Sequence, residues 1–209
     1  MTARSKLRVD LIEDDAAVRD SLALYLTSKG IETRTFESAT AFVKHGLSGE
    51  PSDCIVTDVR MPGLSGVDLQ KLLTKKGLTT QLILITAFGD VETAVAAMKA
   101  GAFDFLEKPV DEKRLVASIR KGATRSEALK AKANEIDEAK ARLDRLTDRE
   151  REVMALATQG YINREIALKL GISQRTVEIH RASLMLKVGA DSMADLVRIS
   201  LLVQRDTEP

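Results

Sequence analysis

The first 110 residues alternate short apolar runs with stretches of helical periodicity. Runs at Arg8–Glu13, Ile31–Phe36, Asp53–Asp58, Gln81–Thr86 and Asp104–Leu106 have the length and apolar content of buried strands. Between them, Ala16–Lys29 places Val18, Leu22, Leu24, Tyr25 and Leu26 at helical intervals and stops at Gly30. Ser65–Lys75 repeats through Val67, Leu69, Leu72 and Leu73, and Val91–Ala100 ends at Gly101, a good helix terminator. Strand–helix alternation over this length predicts a doubly wound parallel sheet.

From Asp111 the pattern changes. Residues 111–145 hold one Gly (Gly122), no Pro, and 10 Lys and Arg against 7 Asp and Glu. Leu129, Ile136 and Leu143 recur every seven residues, with Ala139 and Leu146 on an adjacent row. This predicts a long helix with a thin apolar seam, either a solvated connector or a parallel coiled coil joining two copies. Thr147-Asp148-Arg149-Glu150 then reads as a capping box opening a helix to about Thr158, which Gly160 breaks. Asn163 starts a short helix ending at Leu170-Gly171. Ser173 caps another over about Gln174–Lys187, before Gly189. Ser192 caps the last, with Leu196, Val197, Ile199, Leu201 and Leu202 inward. Four compact helices in about 60 residues suit insertion of a helix into a groove better than a large cleft.

At 209 residues the chain can form one large domain or two small ones. It is 44% apolar and 30% charged, with no Trp, so its cores rest on aliphatic side chains. The single cysteine rules out an internal disulfide, and Cys54 falls inside an apolar strand, where a reduced core thiol is expected. The start shows no signal-peptide pattern, and no apolar run approaches the ~20 residues of a membrane span, so a cytoplasmic protein without a membrane partner is expected. Net charge is +1 overall, −2 over residues 1–110, +3 over 111–145 and zero over 146–209, so no block is strongly basic.

The chemistry gathers at strand ends. Glu13-Asp14-Asp15 closes the first apolar run, Asp58 the third and Thr86 the fourth, and Lys108-Pro109 follows the fifth. In an open parallel sheet these carboxyl ends share one crevice, where ligands collect. Crowded carboxylates favour a dication between them, and Mg²⁺ takes octahedral oxygen ligands. Asp14 and Asp58 are expected to ligate directly, Glu13 through water, and the backbone carbonyl of Arg60 to add a ligand. A carboxylate is also a nucleophile towards phosphorus. Metal and Lys108 would neutralise phosphoryl oxygens, and the Thr86 hydroxyl would hydrogen-bond to one of them.

Residues 8–125 resemble the receiver domain of two-component response regulators, on Glu13-Asp14-Asp15, Asp58 with Met61-Pro62-Gly63, Thr86-Ala87 and Lys108-Pro109. The resemblance implies that Asp58 accepts a phosphoryl group from a phosphohistidine on a sensor histidine kinase. It implies Mg²⁺ at Glu13, Asp14 and Asp58, a switch pair in Thr86 and Phe105, and a cis bond at Lys108-Pro109. Many receivers carry Asp where this chain has Glu13, a known variant. From the residues alone, Phe105 reads as core packing, and His45 and Tyr25 carry no assignment.

Residues 144–203 resemble the LuxR/FixJ-type helix-turn-helix, on Leu146 to Val153, Asn163-Arg164-Glu165-Ile166-Ala167, Ile172 to Arg181, and Leu186-Lys187. Together the halves are similar to the FixJ branch of the FixJ/NarL response regulators. The implied fold is a five-stranded, flavodoxin-like α/β receiver (1–125), a helical linker (126–145) and an all-α four-helix DNA-binding domain (146–209). A major groove admits one helix. With Val177, Leu184 and Val188 inward, Glu178, Ile179, Arg181 and Ala182 point towards DNA. The resemblance puts Glu178, Ile179 and Ala182 at base-facing positions, Arg175, Thr176 and Lys187 on phosphates, and Asn163 and Arg164 on the supporting helix. Five Lys and Arg against two acids in 161–189 predict moderate affinity per copy and a strong salt dependence.

The expected function is a phosphorylation-dependent transcription regulator and not an enzyme, one expected to dimerise on phosphorylation and to bind inverted-repeat promoter DNA. The resemblance implies activation, by recruiting RNA polymerase, rather than repression. A haloacid-dehalogenase-like phosphatase is the enzymatic alternative, but its nucleophile follows the first strand and it needs a cap domain. A phosphorylation-gated protein-binding module is a third reading, separated from the first by salt-sensitive binding to duplex DNA.

Overall fold

The structure is a computed structural model that describes residues 6–87 and 91–207. Its contacts divide the chain into two compact units, Met1–Lys130 and Ala131–Pro209. In the first unit the strands β1 (Arg8–Ile12), β2 (Glu32–Phe36), β3 (Cys54–Asp58), β4 (Gln81–Thr86) and β5 (Asp104–Glu107) form one sheet in the order β2-β1-β3-β4-β5. Every neighbouring pair is parallel, the flavodoxin-like order of a doubly wound sheet.

The alternation within strands sends successive side chains to opposite faces. Leu11, Val56, Ile83 and Ile85 meet Leu22 and Leu26 of α1 (Ala16–Ser28) on one face, together with Leu115 and Ile119 of a long helix. Ile55, Leu82 and Leu84 meet Leu69 and Leu73 of α3 (Gly66–Lys75) and Ala97 of α4 (Val91–Lys99) on the other. One element was not expected from the sequence. A short helix, α2 (Ala39–Ala41), capped by Ser38, runs into a π-helical turn, Phe42–Gly46. Its few residues are too short to display a repeat, and its signal is the capping serine alone.

The long helix, α5 (Glu112–Leu143), spans 32 residues. It lies close to the sheet at Gly122, where a Cβ would come 3.2 Å from Cys54 Sγ and 3.3 Å from the Phe103 ring. Cys54 is fully buried, and burial pushes its thiol pKa up, as suits an unreactive core residue.

The second unit contains α6 (Asp148–Thr158), α7 (Asn163–Leu170), α8 (Gln174–Val188) and α9 (Met193–Thr207). Val177, Leu184 and Val188 of α8 face its core with Val153, Ile166, Leu196 and Ile199. Ala139 and Leu146 join this core and Leu143 packs on it, so the C-terminal half of the apolar seam is covered within the chain. Leu201 is a correction: it is 45% exposed, because the inward row of α9 runs through Leu196, Ile199 and Ser200 and leaves it on the far side.

Glu150 ties this unit together. Its Oε2 accepts from the Thr147 amide at 2.8 Å and completes the capping box. The same carboxylate accepts from Ser183 Oγ at 2.6 Å and from Lys187 Nζ at 2.7 and 2.8 Å, both on α8. The Lys187 and Ser183 bonds hold its pKa down at about 2.

Two outcomes test this architecture. A Cβ at Gly66 would sit 2.4 Å from the Asp58 carbonyl oxygen and 2.7 Å from Leu84, so Gly66→Ala should destabilise the first unit by about 2 kcal/mol in urea unfolding. Glu150 is depressed below its ordinary 4.5, so its stabilisation is complete above that pH and fades as pH falls towards 2. Glu150→Gln should cost the second unit about 2 kcal/mol at neutral pH and flatten its acid-melting profile over that window.

Candidate functional site

Parallel pairing brings the strand ends to one edge. β3 lies between β1 and β4, with Thr57 opposite Ile12 and Asp58 opposite Ile85. Glu13 and Asp14 follow β1, Asp58 and Thr86 end β3 and β4, and Lys108 follows β5. The carboxylates of Glu13, Asp14 and Asp58 present oxygens all within 4.8 Å of one another. Lys108 Nζ donates to Glu13 at 2.9 and 3.1 Å and to Asp58 Oδ2 at 2.5 Å. The other Asp58 oxygen accepts from the Arg60 amide at 2.8 Å, which fixes the carboxylate against the loop. The Lys108-Pro109 bond is cis.

Glu13 and Asp58 are buried, while Asp14 is exposed. Burial pushes the Glu13 pKa up, against the pull of its bonds from Lys108. For Lys108 burial acts downwards, but the bonds to Asp58 and Glu13 outweigh it and the net shift is up. Three hard carboxylate groups, two of them bonded to one ammonium, with the Arg60 backbone at the rim, form a donor set that fits Mg²⁺ rather than a softer metal.

Thr86 is buried and Phe105 half-buried. Phe105 stands opposite Leu84, two residues before Thr86, so ring and hydroxyl share one face of the sheet. On α4, Val95 and Met98 are 45% and 50% exposed, an apolar pair open to water.

On α8, Arg175, Ile179, Ala182 and Leu186 lie at helical spacing and are all exposed. Thr176 and Glu178 are half-buried beside them. Ser173 Oγ accepts from the Thr176 amide and caps the helix, and Arg175 pairs with Glu178 at 3.2 Å. Arg164 is exposed at the start of α7. Arg181 does not stand free, since it donates to Asn163 Oδ1 at 2.7 Å and locks α8 to α7. Lys187 differs most from the sequence expectation of a phosphate contact. It turns inward, because the buried Glu150 carboxylate needs a cation. Two residues carried no sequence assignment. Leu186, 85% exposed, extends the stripe one turn beyond Ala182. Arg19 donates to the carbonyls of Glu13 and Asp14, and its only signal is a cation in the first turn of a helix.

Comparison with known proteins accords with this arrangement. A response regulator receiver domain model matches residues 9–120, and a model of the luxR family of bacterial regulatory proteins matches residues 144–200. The transcriptional regulatory protein FixJ of Azorhizobium caulinodans is 46% identical over 198 residues, covering 94% of this chain and 92% of the relative. Nodulation protein W of Bradyrhizobium diazoefficiens is 38% identical over 202 residues, 95% and 87% of the two chains. Among solved structures, the response regulator StyR aligns with a TM-score of 0.79 at 37% identity over 94% of this chain and 99% of its own. Full-length FixJ from B. japonicum aligns at 0.58 and 38% over 96% and 98%. No helix among the described residues is long and apolar enough to cross a membrane. With a receiver domain and a luxR-type DNA-binding domain in one chain, and FixJ relatives along nearly its whole length, the protein belongs to the FixJ-like response regulators of two-component systems.

Proposed function

We propose that this chain is a cytoplasmic transcription activator switched by phosphorylation of Asp58. In this reading residues 1–125 form the receiver, 126–145 a helical linker and 146–209 the DNA-binding domain. The observation that carries it is the convergence of Glu13, Asp14 and Asp58 with Lys108 bonded to two of them.

A carboxylate oxygen of Asp58 attacks phosphorus on the phosphohistidine of a sensor histidine kinase. The phosphorus–nitrogen bond breaks, the imidazole leaves, and an acyl phosphate remains on Asp58. Glu13, Asp14, Asp58 and the Arg60 carbonyl would hold Mg²⁺, which when bound would add to the neutralisation of the phosphoryl oxygens. Lys108 releases Asp58 and follows the new charge. The Thr86 hydroxyl donates to a phosphoryl oxygen, and Phe105, on the same face, turns into the vacated space. These moves bias a two-state equilibrium of the receiver. The face carrying Val95 and Met98, beside β5, then joins two copies into a homodimer.

Two copies set their α8 helices in successive major grooves of an inverted repeat of double-stranded promoter DNA. Ile179 and Ala182 meet base edges, with Glu178 beside them. Arg164, Arg175 and Thr176 reach phosphates, while the Asn163–Arg181 bond holds the helix pair. Lys187 serves the fold through Glu150. Bound in this way, the dimer recruits RNA polymerase.

Acetyl phosphate with Mg²⁺ should convert the wild-type chain from monomer to dimer in size-exclusion chromatography and raise its affinity for promoter DNA. Asp58→Asn should show neither change, and an undiminished response in that variant would refute the mechanism. On DNA, Arg175→Ala should lower the slope of log affinity against log salt by about one. Lys187→Met should instead lower the melting temperature of the second unit and leave that slope near its wild-type value.

A further inference from the structure

We infer that Arg19 is a positioning residue for the turn that carries the metal ligands, an inference that rests on the phosphoacceptor reading above. α1 begins at Ala16, so Arg19 sits in its first turn. A cation there opposes the positive end of the helix dipole and needs a compensating partner. No described carboxylate pairs with it, although four acids lie within six residues in sequence. Its guanidinium reaches back instead, donating through Nη1 to the Glu13 carbonyl at 2.7 Å and more weakly to that of Asp14 at 3.4 Å.

Those two carbonyls belong to the residues whose side chains enter the acidic cluster. Other bonds hold the turn at its amide side and at the helix cap. The Glu13 amide donates to the Phe36 carbonyl at 3.1 Å, and the Asp15 carboxylate caps α1 through the amides of Ala17 and Val18. Neither holds the carbonyl side of the Glu13 and Asp14 peptides. Asp14 depends on this most, because its carboxylate is exposed and bonded by no described side chain, so only the backbone aims it. A charge-assisted bond is a firm anchor for such a turn. Partners behind the ligands of a metal site commonly set its affinity in this way.

The sign of the effect separates positioning from charge. A guanidinium near a cation site repels the cation, so if Arg19 acted through charge alone, its removal would tighten metal binding. As a positioning residue, its removal weakens binding. The test is a titration of the full chain with Mn²⁺, followed by the free-ion electron paramagnetic resonance signal without any phosphoryl donor. Arg19→Met, which keeps the stem and loses the fork, should raise the Mn²⁺ dissociation constant roughly tenfold. Its metal-free melting temperature should stay near wild type. Arg19→Lys keeps the charge and one donor, and should bind more weakly than wild type but more tightly than Arg19→Met. Unchanged or tighter binding in Arg19→Met overturns the inference, and if that variant does not fold, wild-type affinity in Arg19→Lys does the same. A wild-type chain that binds Mn²⁺ while the variants match it sinks only the role of Arg19; a wild-type chain that binds none sinks the phosphoacceptor reading as well.

Discussion

Three carboxylates within 4.8 Å of one another repel, and the ammonium of Lys108 is what makes their assembly tolerable in a folded chain. For the buried pair Glu13 and Asp58 the repulsion is about 3 kcal/mol at an effective dielectric near 20. Lys108 lies on both of them and offsets much of that. One positive charge against three negative leaves the crevice anionic, a state that a dication would offset. The rest of the receiver serves this arrangement. Parallel pairing puts the strand ends at one edge, the Arg60 amide orients Asp58, and Gly66 lets α3 start against the Asp58 carbonyl.

The helical unit solves a similar problem with the opposite intent. Glu150 is as little exposed as Glu13, yet bonds from Lys187 and Ser183 bring its pKa down to about 2, whereas burial outweighs the bonds from Lys108 and pushes that of Glu13 up. A carboxylate satisfied by Thr147, Ser183 and Lys187 has nothing left to offer a ligand and acts as a fixed joint between α6 and α8. The carboxylates at the sheet edge share a single cation and retain unmet demand. The balance of bonding against burial thus differs between the two clusters, as expected of a structural joint and a candidate site.

Most of the fold was legible because its signals were local and consistent. The five strands lie within a residue or two of the apolar runs, and the capping residues Thr147 and Ser173 sit where their side chains suggested. The α2 and π-helical stretch was not legible, because a few residues carry no period. Strand-end chemistry foretold the convergence of Glu13, Asp14, Asp58 and Lys108, since parallel sheets put such ends together. Arg19 escaped because its role lies in bonds to backbone carbonyls, which have no residue code. The bond from Lys187 to Glu150 was hidden for a related reason: sequence shows that a lysine is present, but not that a glutamate 37 positions away pairs with it.

The pairing of Lys187 with Glu150 bears on why control by phosphorylation would work. Of the five cations between residues 161 and 189, Lys187 is committed to Glu150, Arg181 to Asn163, and Lys169 lies over the Tyr161 ring at 4.6 Å. Arg164 and Arg175 are the exposed pair without an internal structural duty, and Arg175 shares its charge with Glu178. Phosphate contacts dominate affinity for DNA, so under the proposed mechanism a single copy with so few of them would bind only moderately. Weak single-copy binding is useful under the proposed mechanism. If one copy held its site tightly, promoter occupancy would be indifferent to dimerisation, and modification of Asp58 would change little. When each copy is weak, linking two makes the second contact intramolecular, and affinity rises steeply with no new contact to DNA. Under that mechanism, committing cations to the helical core would leave the decision to bind with the receiver.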